Sequence, residues 1–153
     1  MKSRTATLRS RALAGMVLLA CTGAQAAPLV DAPWIQATQD RASTAAYMTI
    51  TSTQSAHLKE ARSTVATSVV IRSGATGARV YPRLALPAGV PVLLAPDAFH
   101  LVLRGLAHPL NPGDRVPIVL TIELETGALQ EYTVNAEVRA RAPAADTRPA
   151  RKY

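Results

Sequence analysis

Binding a soft metal ion outside the cytoplasm calls for imidazole and thioether donors, and this chain holds few of either. Its three histidines stand at positions 57, 100 and 108. Met1, Met16 and the single cysteine, Cys21, all fall in an N-terminal segment that reads as a leader, which leaves Met48 as the thioether beyond it. Such donors suit Cu(I) and, unlike thiolates, do not oxidise to disulfides outside the cell. His57 in TQSAHLKE and His108 in AHPL are not spaced for joint ligation with His100, and both read as solvated. His100 follows Asp97-Ala98-Phe99 at the start of a strand and is either a metal ligand or a half-exposed histidine at the rim of a sandwich. The second reading is preferred. Met48 follows Tyr47 in a strand and reads as core packing.

No Ser, His and acid stand in a recognisable catalytic motif, no glycine-rich phosphate loop follows a strand, and no cluster has zinc spacing. The chain reads as a non-enzyme.

The elements that must position these residues begin after residue 26. Lys2, Arg4, Arg9 and Arg11 precede the apolar run 13–20, and Ala24-Gln25-Ala26 then offers a small-residue cleavage site. That order predicts a secretory signal peptide over residues 1–26 and a periplasmic destination. The run is too short for a permanent membrane helix, which needs about 20 apolar residues, and no later segment reaches that length. Leu18-Leu19-Ala20-Cys21 also resembles a lipoprotein processing box, which would make Cys21 a lipid-bearing terminus; cleavage after Ala26 is the preferred reading. Neither version permits an internal disulfide.

The formal charge of +7 suggests a nucleic-acid binder until it is divided along the chain. The leader and the segment 139–153 take most of the excess, leaving eight basic and nine acidic residues over 27–138. A nearly neutral domain with few aromatics is a poor phosphate-binding surface, so nucleic acid is not an expected partner. The segment RARAPAADTRPARKY has no periodicity and a basic excess, and is expected to be a disordered tail.

Residues 27–138 suit one domain with a modest core. Pro and Gly recur at short intervals from Pro33 to Gly127, and the runs between them are too short for ordinary helices. Over 116–125, Ile118, Leu120, Ile122 and Leu124 alternate with Val119, Thr121, Glu123 and Glu125, which predicts a strand lying on a core. Tyr132, Val134, Ala136 and Val138 repeat the pattern after Thr126-Gly127, so the two make a hairpin. Further strands are expected over 34–38, 45–53, 58–63, 68–72, 90–94 and 100–106. Seven or eight short strands predict an all-β sandwich or partly closed barrel.

The segments DAPWIQAT (31–38), AAYMTITS (45–52) and LALPAGVPVLLAPDAFHLVLRGLAHPLNPGDRVPIVLTIEL (84–124), with the closing strand, resemble the PCu(A)C copper-chaperone family. The resemblance implies a cupredoxin-like sandwich and a role in carrying Cu(I) through the periplasm towards the copper centres of cytochrome oxidase. It also implies a ligand set of a His, a later Met and a His-x-Met pair. Carried over by position, the first His falls on Arg72, the first Met on Ala78 and the last Met on Val102, while His100 keeps the second His position. A guanidinium offers no lone pair and repels a cation.

No cofactor is therefore expected, with copper as the alternative. Arg72, Arg79, Arg83 and Arg104 fall in or near the segments that would frame the site, as scattered rim residues or, for Arg72 and Arg104, as a surface for an acidic partner such as a copper-handling or oxidase-assembly protein. Two further readings remain open: a metal-independent binding or scaffold module on the same sandwich, and a metal held across two chains by His100.

Overall fold

The apolar-polar alternation written along the chain becomes a ten-stranded sheet that curls into a near-closed barrel. The structure is a computed structural model and describes residues 26–74 and 79–140. The strands are β1 (Leu29–Gln36), β2 (Ser43–Thr51), β3 (Ala56–Ser63), β4 (Ala66–Ser73), β5 (Arg79–Tyr81), β6 (Leu84–Leu86), β7 (Pro91–Leu94), β8 (Phe99–Leu106), β9 (Arg115–Leu124) and β10 (Leu129–Arg139). No helix occurs among the described residues. The expected all-β class holds, but the count of seven or eight is too low. The two extra strands, β5 and β6, have three residues each and sit on either side of Pro82-Arg83. Runs that short carry no readable period, so they pass for turns in the sequence.

The strand order is β5-β4-β8-β7-β2-β1-β10-β9-β3-β6, with β8 also pairing directly to β2 beyond the short β7. Most neighbours are antiparallel; β1 runs parallel to β10, joining the two halves of the sheet, and β7 runs parallel to β8. The predicted hairpin of β9 and β10 is present, in register from Leu129 opposite Glu123 to Glu137 opposite Arg115. Its turn uses Gly127 at φ 82°, a conformation that costs a glycine little. β10 continues to Arg139, one residue past the expected end of the domain, and Ala37 N donates to the Arg139 carbonyl at 2.8 Å.

Inward positions carry the core. Val116, Ile118, Leu120, Ile122 and Leu124 of β9 are buried with Leu101 and Leu103 of β8, Ile35 of β1, and Ala46, Met48 and Ile50 of β2. Each fully buried leucine or isoleucine contributes roughly 1.5–3 kcal/mol. Because inward and outward side chains alternate, this packing also decides which residues of β8 and β2 point away from the core.

A bulge in β1 marks one exception to regular pairing. The register shifts between Asp31 and Trp34, and Ala32 sits at φ 44°, in the left-handed region. The extra residue re-aims the strand so that Ile35 enters the core while Trp34 lies against Tyr47 on the other face.

Candidate functional site

With Leu101 and Leu103 committed to the core, His100, Val102 and Arg104 must occupy the outer face of β8. The ladder with β4 sets Arg72 opposite His100, Val70 opposite Val102 and Ser68 opposite Arg104. Directly opposed residues share a face, with Cβ atoms about 4.5–5.5 Å apart. Two of the family-pattern positions, Arg72 and His100, are therefore neighbours, and Val102 lies one step along. Ala78, the fourth, lies outside the described residues.

His100 is buried, with 7% of its surface exposed, rather than half-exposed at a rim. Its cover comes from an aromatic row that continues across the sheet. The Tyr47 ring centroid lies 6.2 Å from the imidazole, and Trp34 lies 4.6 Å beyond, on Tyr47. His100 Nδ1 is 3.2 Å from the Ala98 carbonyl, which can only accept, so Nδ1 is the donor in this contact. Burial pushes the Tyr47 phenol above its ordinary pKa. On the other side of His100, the Arg72 Nε is shut off from solvent.

The remaining candidates fall elsewhere. Met48 is 2% exposed, inside the core and on the opposite face of β2 from Tyr47, so it packs as expected and cannot share a cation with His100. His57 lies on β3 opposite Glu123 and lines an open depression of about 440 Å³ with Arg83, Glu123 and Glu125. His108 is exposed, with Nδ1 2.9 Å from the Pro109 carbonyl. Among the described residues, no group of three or more His, Cys, Asp or Glu is placed to hold a metal ion.

The four arginines do not form one cluster. Arg72 and Arg104 share the outer face, about 13 Å apart along the strands at ~3.3 Å per residue. Arg79 pairs with Ser73 and so belongs to the other face, and Arg83 lies beside His57. A larger depression of about 550 Å³ lies on the outer face of β3, β9 and β10, floored by Pro117 and Val119 and flanked by the Arg62–Glu131 ion pair. It contains none of the candidate site residues.

Reading the sequence position by position missed the Trp34–Tyr47 cover. A usable signal was present: Tyr47 is out of phase with Ala46, Met48 and Ile50, so it had to face away from the core.

Solved structures of similar shape carry copper-related names. A protein from Deinococcus radiodurans, solved with Cu(I), is 32% identical; the match covers 79% of this chain and 85% of that one, with a TM-score of 0.60. The apo PCuAC domain from PmoF1 is 22% identical over 73% of this chain and 92% of that domain, with a TM-score of 0.62. The copper-bound PCuAC domain from PmoF2, also 22% identical, has a TM-score of 0.60 over the same shares. No match is found among curated proteins. The family model described as "Putative lipoprotein LpqE-like" matches residues 29–138, from the start of the first strand into the last, and the chain therefore belongs to the LpqE-like family, of PCuAC type.

Proposed function

We infer that this chain is a non-enzymatic copper-chaperone-like protein acting on the outer side of the cytoplasmic membrane, whose own Cu(I) site has been lost. Its contribution to copper delivery, including delivery to a respiratory oxidase, then comes through docking with a partner that holds the metal. Family membership supports the copper context. The observation that carries the loss is the register pair Arg72–His100.

A cation beside His100 Nε2 would meet a permanently charged guanidinium on the neighbouring strand. At ~4 Å the repulsion is about 1 kcal/mol in water and about 4 kcal/mol at an effective dielectric of 20. Val102 offers an isopropyl group where the family pattern has a thioether, and Met48 faces the core. The residues present do not fit a cuprous ion, and one imidazole is a weak hold by itself.

The same face suits an acidic partner. Arg104 is exposed, Arg72 lies further along, and Val70 and Val102 form an apolar strip between them. A metal-independent scaffold would use this face too, but its partner binding would not change on adding a copper chelator.

Anaerobic titration with Cu(I) against a competing chelator tests the reading. The wild-type chain should leave copper with the chelator, and Arg72→His with Val102→Met should take up at least tenfold more, since tenfold is about 1.4 kcal/mol and a restored donor pair exceeds that. Tight one-to-one binding by the wild type, abolished in His100→Ala, would overturn it.

A further inference from the structure

We propose that one end of the barrel, the end at which the described chain begins, rests on the phospholipid bilayer surface, with the protein held there by a lipid on Cys21. The strand ends settle which loops share this end. β2 ends at Thr51, which pairs with Leu29 of β1 and Pro91 of β7. Residues 52–55 then lead into β3, whose Ala56 pairs with Leu124 at the end of β9 and with Leu86 at the end of β6. Residues 87–90 and 125–128 lie at the same end among the described residues, and the Gly89 amide donates to the Ser52 carbonyl at 2.8 Å.

Large exposed apolar side chains gather here. Leu29 is 59% exposed and Leu93 is 60% exposed, and they flank Thr51 and Thr49 on the outer face of three adjoining strands. Val90 stands at the head of β7 and Leu129 at the head of β10, each about half exposed. The loops 52–55, 87–90 and 125–128 contain one charged residue, Glu125, and Asp31 faces out opposite Thr49. An apolar rim on nearly neutral loops fits the headgroup boundary of a membrane.

The occupant follows from the chain that precedes this end. The Thr53 hydroxyl donates to the Ala26 carbonyl at 3.3 Å, so Ala26 is fastened to the 52–55 loop. Cys21 precedes Ala26 by five residues, a reach of at most ~17 Å. The Leu18-Leu19-Ala20-Cys21 box and the lipoprotein description of the family favour Cys21 over Ala26 as the processed position.

Acylation replaces the thiol proton with a diacylglyceryl group from a phospholipid, whose phosphate-bearing headgroup leaves with that proton. Water then cleaves the Ala20–Cys21 peptide bond. A tether this short keeps the Ala26 end near the leaflet. β10 carries the chain some 37 Å away at ~3.4 Å per residue, so the basic C-terminal segment starts from the opposite end.

The test uses the full chain made in bacterial cells that acylate such boxes. The acylated sulfur is a thioether, so a cysteine introduced by Leu93→Cys, Val90→Cys or Ser68→Cys is the one free thiol. Its reaction with a membrane-impermeant maleimide is timed in isolated membranes and again after detergent extraction. Leu93→Cys and Val90→Cys should react several-fold faster in detergent, while Ser68→Cys at the far end of β4 should not change. Equal rates at both positions in membrane and detergent overturn the proposal. Protection that persists in detergent overturns it too, and identifies a second copy or a bound protein as the cover. Cys21→Ser should release the chain to the soluble fraction; a wild-type chain already soluble removes the anchor and the proposal with it.

Discussion

Arg72 stands beside His100 because β4 and β8 pair in one register, and the consequence at the scale of residues is a histidine in unsuitable company for a cation. The sequence showed that both residues occupy family positions, but not that His100 is buried. Its cover is made by Tyr47 and Trp34, which reach it from strands far apart along the chain. Tyr47 supplies a pH handle. Its folded pKa lies above the unfolded value because burial disfavours the phenolate, so the native state holds its proton longer than the unfolded chain does. The stability associated with that proton is complete below pH 10 and drains away as pH rises towards the folded value. Urea midpoints measured from pH 8 to pH 11 should fall more steeply for the wild type than for Tyr47→Phe. Parallel curves would show that the phenol does not couple to folding.

At the scale of elements, two backbone positions decide how strands meet. Gly105 ends the useful run of β8 at φ 63°, and a Cβ there would lie 2.6 Å from Thr67 Oγ1 on β4. Both the conformation and the close approach exclude a side chain. Gly105→Ala should cost about 2 kcal/mol, the strain of a left-handed non-glycine residue plus a displaced Thr67, read as a lowered denaturation midpoint. Gly105→Ala with Thr67→Ala should recover part of that loss, and an unaffected single variant would contradict the packing. Ala32 shows the converse: a non-glycine residue tolerates φ 44° because the bulge it forms seats Trp34 and Ile35 on opposite faces. The sequence reading began this strand at residue 34, since a bulge breaks the period just where it does its work.

For the molecule as a whole, the balance of charge says little and its placement says more. Residues 27–138 are nearly neutral, yet Arg72 and Arg104 share one face, whereas Arg79 and Arg83 are turned elsewhere. Docking of an acidic copper-handling partner on that face should weaken with added salt and weaken further in Arg104→Glu, measured as the dissociation constant at low and moderate ionic strength. Binding indifferent to both would point to a different face. The bilayer contact proposed for the Ala26 end leaves this face on the barrel's flank, open to a partner in the aqueous compartment.

The sequence by itself determined the all-β class, the long strands, the β9–β10 hairpin and the inventory of donor atoms, because alternation and composition are local properties that survive without a fold. It also carried the family motif and, through the out-of-phase Tyr47, a hint of the aromatic cover. Only the tertiary structure decided that Arg72 adjoins His100, that Met48 is turned inward away from it, and that Leu29, Val90, Leu93 and Leu129 share one end. Those relations depend on register and barrel closure, which are set by ladders between strands tens of residues apart and by how the core fills, and no window along the chain contains them.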